Sequence, residues 1–226
     1  MKRTILPAGD THAILNYEER DHIGRIIDRG TWYEKDLLDD ARSHYFGPEA
    51  VAIDVGAHIG NHSIWFALAM RLNVIALEPN PSSFEILKQN LEANNLALPE
   101  PYRPFVRAMP VAAGDRPGWG RVQPPAIEHN SGTVSVARED DEGQQDAGQV
   151  PITTLDELLV FGHIELIKID VEGAAAEVLA GAKRILAENN PVIYAEGDRD
   201  EIAAALPAGY ECFGQFAKTP TFGFSR

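Results

Sequence analysis

Short apolar runs recur along the chain and predict strands that are covered on both faces. Four of these runs occupy residues 51–55, 73–77, 164–169 and 191–195. Near-continuous apolar stretches of this length are typical of buried strands in a parallel sheet. Residues 105–113 predict a further strand, which is less regular because Pro110 interrupts it.

Segments with helical spacing separate these runs. Residues 61–72 carry apolar side chains along one side, and residues 82–96 and 174–189 show the same periodicity. Asn80 is a predicted cap, because its side chain can accept an amide of the first turn of the second helix. Strands that alternate with amphipathic helices predict an α/β fold with a doubly wound, mostly parallel sheet.

Two regions do not follow this alternation. Residues 1–50 form a polar N-terminal extension, which we predict to be helical around residues 21–28 and 33–43. Residues 114–150 are rich in Gly, Pro and charge and are predicted to be an inserted loop region. Within this insertion, residues 138–149 contain almost no apolar side chain, which indicates a loop.

The end of the chain predicts one more structural feature. Residues 210–216 and 221–224 are spaced as an antiparallel edge pair. We find no linker that divides the chain. We therefore expect one domain over residues 1–226, in which residues 51–226 form the core after the N-terminal extension.

Composition and charge narrow the classes of function. The 226 residues include 34 acidic and 20 basic side chains, for a formal net charge of −14. Nucleic-acid binding draws on clustered Lys and Arg, which the sequence lacks, so we expect no nucleic-acid partner. The single Cys212 excludes an internal disulfide framework. No stretch reaches the roughly 20 apolar residues of a membrane span, so we expect a soluble, cytoplasmic protein.

The strongest local signal is the sequence DVGAHIG, residues 54–60, between a predicted strand and a predicted helix. Such a turn lies where a doubly wound sheet places its ligand crevice. The dinucleotide fingerprint would need glycines where His58 and Asn61 stand. A carboxylate at Asp54 would repel a pyrophosphate, but it can hold an ammonium group or organise the loop.

Glu78 is a second signal, at the end of the next predicted strand. A carboxylate at this point can accept hydrogen bonds from both hydroxyls of an unphosphorylated ribose. The alternative is a solvated acid at a strand end. The combination with the turn at residues 54–60 favours the ribose interpretation.

These residues and three motifs further along resemble the FkbM family of S-adenosylmethionine-dependent methyltransferases of class I. The motifs are VPITTLDEL at 150–158, IKIDVEG at 167–173 and EVLAGA at 177–182. The likeness covers about residues 31–196, with His58 where the family commonly has Asn. It implies O-methyltransferase activity, S-adenosylmethionine as cofactor and a seven-stranded sheet whose last hairpin is antiparallel.

The resemblance also implies a cofactor role for each matching position. Residues 54–63 would serve the methionine portion, Glu78 the ribose, and Asp170 the sulfonium and its methyl group. The residues after the third strand would contact adenine. The complete implied set is Asp54, Gly56, Ala57, Gly60, Asn61, His62, Ser63, Glu78, Pro79, Asn80, Ala113, Gly114, Asp115 and Asp170.

Asp170 and Glu172 are candidate catalytic residues. They lie two apart at a strand end, so an extended backbone would point both into the crevice. Either can act as general base for an acceptor hydroxyl, and a divalent cation held by the pair is the less favoured alternative. In a purely structural interpretation, Asp170 caps the next helix and Glu172 complements its dipole. His129 is a third candidate, because histidine titrates near neutrality; the alternative is an exposed loop histidine.

Other contacts and functions remain open at this point. Tyr33 and Glu34 precede the sheet and are candidates to cover the amino-acid end of the cofactor. The expected acceptor is a hydroxyl of a small molecule, a secondary metabolite or a sugar. The competing functions are an NAD-dependent oxidoreductase and a non-catalytic cofactor-binding module. The sequence leaves the oligomeric state undetermined, with a homodimer as one alternative.

Overall fold

The computed structural model describes residues 1–47, 49–97, 103–124, 135–139, 148–216 and 220–226, and within these ranges it contains three sheets and seven α-helices. The strands in these ranges are β1 Lys2–Ala8, β2 Thr11–Tyr17, β3 Ala50–Val55, β4 Asn73–Leu77, β5 Val106–Met109, β6 Ala112–Ala113, β7 Gly118–Val122, β8 Val136–Glu139, β9 Gln149–Thr153, β10 His163–Ile169, β11 Val192–Glu196, β12 Glu211–Phe216 and β13 Thr221–Ser225. The helices are α1 His22–Ile27, α2 Lys35–Ser43, α3 Asn61–Met70, α4 Pro81–Ala93, α5 Ala175–Ala180, α6 Lys183–Asn189 and α7 Arg199–Ala205.

The largest sheet has seven strands in the order β12-β13-β11-β10-β3-β4-β5. The five strands from β11 to β5 pair in parallel. β13 runs antiparallel to both β11 and β12. The predicted α/β sheet is therefore confirmed as a mixed, seven-stranded sheet, and the predicted tail pair lies within one residue of its expected bounds.

The central strand β3 contributes to two apolar cores, one on each face of the sheet. Val51, Ile53 and Val55 pack with buried side chains of α5, α6 and α7. Ala50 and Ala52 belong to the other core, which includes side chains of α2, α3 and α4. Burial on both faces explains why the strand sequence is apolar throughout rather than alternating.

The N-terminal extension is not helical alone, as we predicted, but also contains two strands. It begins with an antiparallel hairpin of β1 and β2, which pair from Lys2 with Tyr17 to Ala8 with Thr11. The inner side chains, among them Leu6 and Leu15, join the core on the face of α3 and α4. The burial along β2 does not alternate strictly, which hid the strand period. The two predicted helices are present as α1 and α2.

The region around residues 105–150 also differs from its prediction. The expected strand at 105–113 divides near Pro110 into β5 of the large sheet and β6 of a smaller one. The smaller sheet has the order β6-β9-β7-β8, so much of the predicted loop region is strand. Residues 140–147, in the middle of the predicted loop at 138–149, lie outside the described residues.

The predicted helix at 174–189 is divided into α5 and α6 at Gly181. A Cβ atom at Gly181 would lie 2.1 Å from the carbonyl oxygen of Gly114, so two backbones cross in close contact here. The Gly181 carbonyl accepts a hydrogen bond from the Asp156 amide at 3.0 Å instead of continuing the helix. This crossing attaches the helical layer to the strand that follows β5.

Candidate active site

A cavity of 580 Å³ opens at the carboxyl ends of β3, β4 and β10. This is the edge at which open α/β sheets bind ligands. The small sheet supplies a wall through residues 135–138 of β8 and its approach, and Ile23 of α1 also contributes. The predicted site residues that line the cavity are Gly56, Glu78, Pro79, Ala113, Gly114, Asp115, Asp170 and Glu172.

The glycine turn, residues 56–60, follows β3 and brings its backbone close to β10. Gly56 has φ +77°, and a Cβ atom there would lie 1.9 Å from the carbonyl oxygen of Asp170. The amides of Gly56 and Ala57 both donate to the Leu77 carbonyl at 3.0 Å, which ties the turn to β4. Only glycine fits position 56, since both the dihedral angle and the contact exclude a side chain.

Gly60 has a different role from Gly56. Its φ is +89°, and a Cβ atom there would lie 2.6 Å from Cδ1 of Leu87 in α4. Gly60 therefore permits the packing of α4 under the turn and does not line the cavity.

Glu78 follows β4 and faces the cavity with its carboxylate fixed by two backbone amides. Oε2 accepts from the His58 amide at 2.7 Å, and Oε1 accepts from the Asn80 amide at 2.8 Å. Burial raises the pKa of Glu78 to about 7, although both amide hydrogen bonds oppose the shift. Each oxygen has further acceptor capacity, so the group can bind donor hydroxyls without losing its support.

Asp54 lies beneath the cavity and is fully buried. The Ser63 hydroxyl donates to its Oδ2 at 2.5 Å, and Lys168 Nζ lies 3.6 Å from Oδ1. Lys168 is itself buried in β10 and donates to Asp170 Oδ2 at 2.9 Å. Burial would lower the pKa of Lys168, but the charges of Asp170 and Asp54 outweigh it and raise the pKa above its ordinary value.

Glu196, at the end of β11, is a third strand-end acid after Glu78 and Asp170. Its hydrogen bond to Asp170, together with burial and the Asp170 charge, raises the pKa of Glu196 to about 9. The protonated Glu196 carboxyl therefore donates to the Asp170 carboxylate near neutral pH. Burial favours the neutral form of Asp170 as well, but Lys168 and the Glu196 hydrogen bond hold the pKa of Asp170 well below its usual range.

Sequence reasoning missed Lys168 and Glu196. A lysine inside the apolar strand IKI signals a buried partner, because a charge in that position needs a carboxylate. An acid that ends a parallel strand is the same signal that pointed to Glu78. Both residues could therefore have been identified as candidate site residues from the sequence.

Glu172 differs from Asp170 in its surroundings. It lines the cavity and is exposed, and within the described part of the chain its carboxylate makes no hydrogen bond or ion pair. Partial burial and the nearby Asp170 charge raise the pKa of Glu172. Neither acid caps the next helix, since the cap of α5 is Ala174 without a side-chain hydrogen bond.

Asp115 lies on the far wall between two arginines. Arg138 donates to its Oδ1 at 3.0 Å and Arg116 to its Oδ2 at 3.0 Å. Arg138 also donates to the Arg116 carbonyl at 2.9 Å. The small sheet thereby fixes the end of β6 and the loop after it, where Ala113 and Gly114 face the cavity.

Six predicted cofactor residues besides Asp54 do not line the cavity: Ala57, Gly60, Asn61, His62, Ser63 and Asn80. The Asn61 side chain exchanges hydrogen bonds with the Tyr33 backbone at 3.2 and 3.1 Å. His62 Nε2 lies 3.0 Å from Glu34 Oε2, with both side chains buried. Asn80 caps α4 as predicted, through the Ser82 amide at 3.0 Å. Asn61 and His62 thereby join the start of α3 to residues 33 and 34.

The remaining expectations concern His129, metals and membranes. His129 lies outside the described residues. Within the ranges that the structure describes, no group of three His, Cys, Asp or Glu side chains is arranged to hold a metal ion. Among the same residues, every helix is too short or too polar to cross a bilayer.

The fold and the site place the chain among α/β proteins with a ligand crevice at the carboxyl ends of their strands. Residues 54–212 match the model of the methyltransferase FkbM domain. The chain therefore belongs to the FkbM methyltransferase domain family.

Two relatives and one solved structure show how far the similarity extends. Hexuronic acid methyltransferase AglP of Haloferax volcanii is 32% identical over 162 residues, which cover 70% of this chain and 58% of that protein. AMB antimetabolite synthetase AmbE of Pseudomonas aeruginosa is 28% identical over 212 residues, covering 78% of this chain and 9% of that protein. Methyltransferase FkbM of Methylobacillus flagellatus superposes with a TM-score of 0.57 at 15% identity, covering 81% of this chain and 45% of that one. This last likeness concerns the fold alone.

Proposed function

We propose that this chain is an S-adenosylmethionine-dependent O-methyltransferase that acts on a hydroxyl of a small molecule, with a sugar as the favoured class. The observation that carries the proposal is the Glu78 carboxylate, which two backbone amides aim into the cavity beside the glycine turn. The family membership supports the same reaction. The doubly wound class I arrangement and a single domain over residues 1–226 are part of this proposal.

The residues at the cavity fit the donor's chemistry. S-adenosylmethionine supplies a methyl group that its sulfonium already activates. Glu78 would accept hydrogen bonds from the ribose hydroxyls, while the Gly56 backbone, which no Cβ shields, would border the methionine portion. Pro79 would shape the ribose wall, and Ala113, Gly114 and Asp115 would border adenine. Asp54 would act indirectly, by holding Lys168 beneath the turn.

The two candidate catalytic acids would divide the work. Asp170 stays ionised because Lys168 binds one of its oxygens and Glu196 donates to the carboxylate. A carboxylate with a strongly lowered pKa is a weak base, so Asp170 would stabilise the donor's positive charge. Glu172 has an unengaged carboxylate on the cavity and would take the acceptor's proton. His129 stays a further candidate for an acceptor contact.

The acceptor is the least defined part of the proposal. The relative AglP is named a hexuronic acid methyltransferase, which supports a sugar hydroxyl here. Because this chain spans 58% of that protein, we do not extend the relative's specificity for hexuronic acids to this chain. The cavity wall from the small sheet would shape the acceptor's surroundings, because it faces the floor formed by the strand ends.

Isothermal titration calorimetry tests the proposal with three ligands: S-adenosylmethionine, S-adenosylhomocysteine and NAD. We expect the first two to bind and NAD not to bind. Glu78→Ala should lower the affinity for both of these ligands by roughly one to two decades, as expected for lost hydrogen bonds to a charged group. Lys88→Ala, on the exposed side of α4, is a matched control that should change nothing. Binding of NAD alone would favour the oxidoreductase alternative, and unchanged affinity in Glu78→Ala would remove the ribose assignment.

A further inference from the structure

Asn90 places a fully buried amide in the C-terminal half of α4. Its Oδ1 accepts from the backbone amide of Asn16 at 2.6 Å and from the Asn16 side chain at 2.8 Å. Its Nδ2 donates to the Asn16 carbonyl at 3.0 Å and to the Ile59 carbonyl at 2.8 Å. Both donors and both acceptor positions of the amide are therefore used.

Asn90 and Asn94 together bind β2 as a neighbouring strand would. Asn94 Oδ1 accepts from the Ile14 amide at 2.8 Å, and Asn94 Nδ2 donates to the Ile14 carbonyl at 2.7 Å. Four residues along a helix span about 6 Å, and two residues along a strand span about 6.6 Å. Because these two distances nearly match, the two asparagines can pair with alternate residues of β2.

Only one of the two asparagines reaches the site. Ile59 lies in the glycine turn between His58, whose amide binds Glu78, and Gly60. The Ile59 carbonyl is held by Asn90, while the bonds of Asn94 go to β2 and to the Asn90 carbonyl. A single side chain in α4 therefore joins the N-terminal hairpin (β1 and β2) to the glycine turn.

We propose that Asn90 is a positioning residue that couples docking of the N-terminal hairpin to the shape of the donor site. The hairpin precedes the segment that matches the family model, which begins at residue 54. Order in the hairpin holds Asn90, and Asn90 holds the Ile59 carbonyl and with it the turn next to Glu78. Coupling between two sites is reciprocal, so a ligand bound at the turn should stabilise the docked hairpin by the same free energy with which the docked hairpin favours ligand binding. The choice of ligand rests on the proposed function.

The experiment compares Asn90→Ala with Asn94→Ala in the full chain, using S-adenosylhomocysteine as the probe. Both variants lose hydrogen bonds to β2, so both should melt at a lower temperature than the wild type. Only Asn90→Ala should weaken binding, by about tenfold, because it alone releases the turn. Asn90→Ser is measured as well, in case the alanine variant does not fold.

Hydrogen–deuterium exchange supplies a second measurement that does not depend on affinity. In the free protein, Asn90→Ala should accelerate exchange at the amides of residues 56–60, and Asn94→Ala should not. In the wild type, the probe should slow exchange of the Asn16 amide, and this protection should disappear in Asn90→Ala. Equal loss of affinity in both variants, or turn exchange unchanged by Asn90→Ala, would overturn the coupling. A wild type that does not bind the probe would contradict the proposed function instead, while the exchange of the free protein still tests Asn90.

Discussion

At the scale of single residues, Lys168 balances the charges beneath the cavity. It is buried between the carboxylate of Asp54, which is fully buried, and the carboxylate of Asp170, which lines the cavity. Buried ion pairs contribute little net stability relative to apolar replacements, but removing one partner leaves an uncompensated charge. The position of both acids therefore depends on a residue that does not line the cavity.

Lys168→Met should lower the free energy of unfolding by about 3–5 kcal/mol, because it leaves both carboxylates without their cation. Urea denaturation of the wild type and the variant measures this difference. Lys88→Met removes an exposed pair with Glu85 and should leave the denaturation midpoint unchanged. A Lys168→Met protein as stable as the wild type would contradict the assigned role.

The pKa of Glu78 makes a second prediction at this scale. Burial raises the pKa of Glu78 to about 7, so the carboxyl is partly protonated in the free protein at neutral pH. Ribose hydroxyls donate to the ionised form, so binding should release a proton. The affinity for S-adenosylmethionine should rise as the pH increases toward about 7 and level off above it. Calorimetry in buffers of different ionisation enthalpy detects the proton, and Glu78→Gln should abolish both effects.

At the scale of elements, the glycine turn depends on an exact approach of β3 to the end of β10. Gly56→Ala should disturb both stability and donor binding, because its Cβ would overlap the Asp170 carbonyl at 1.9 Å. Gly30→Ala is the matched control: its φ is +82°, but nothing lies within 4 Å of a Cβ there. This control should cost about 1 kcal/mol and leave affinity unchanged. Equal binding by Gly56→Ala and the wild type would show that the turn tolerates a side chain.

The elements also show what sequence patterns can predict. The strands β3, β4, β10 and β11 were found to within one residue, because burial on both faces leaves continuous apolar runs. The hairpin of β1 and β2 was not found, because burial along β2 does not alternate strictly: Asn16 is buried against Asn90 of α4, far along the chain. The division of a predicted helix at Gly181 depends on the backbone of Gly114 and leaves no local pattern. Contacts between distant segments therefore account for both errors.

The candidate site likewise has parts that the sequence predicted and parts that it did not. Strand-end acids at Glu78 and Asp170 were predictable from their positions, and both line the cavity. The sealed position of Asp54 was not predictable, because it results from the pairing of β3 with β10, which brings Lys168 alongside. The separate surroundings of Asp170 and Glu172 likewise depend on Glu196 at the end of another strand.

At the scale of the whole molecule, the Asp170–Glu196 pair links stability to pH. The hydrogen bond to Asp170, with burial, raises the pKa of Glu196 from 4.5 to about 9, so the folded protein binds this proton more tightly than the unfolded chain. The contribution of this proton to the free energy of unfolding is complete below about pH 4.5 and is lost as the pH rises through about 9. Melting temperatures should therefore fall over this range. Glu196→Gln, which can still donate a hydrogen bond, should show a flatter profile; an identical profile would contradict the shared proton.

The floor of the cavity, where Glu78 and Asp170 follow their strands, has a consequence for the exchange of donor and product. S-adenosylmethionine carries one net positive charge, and its demethylated product carries none, so transfer of the methyl group switches off the electrostatic attraction. A chain of net charge −14 also draws a cation toward itself at long range, an effect that salt screens. Under the proposed function, this floor favours binding of S-adenosylmethionine over binding of the demethylated product, and so reduces inhibition by the product.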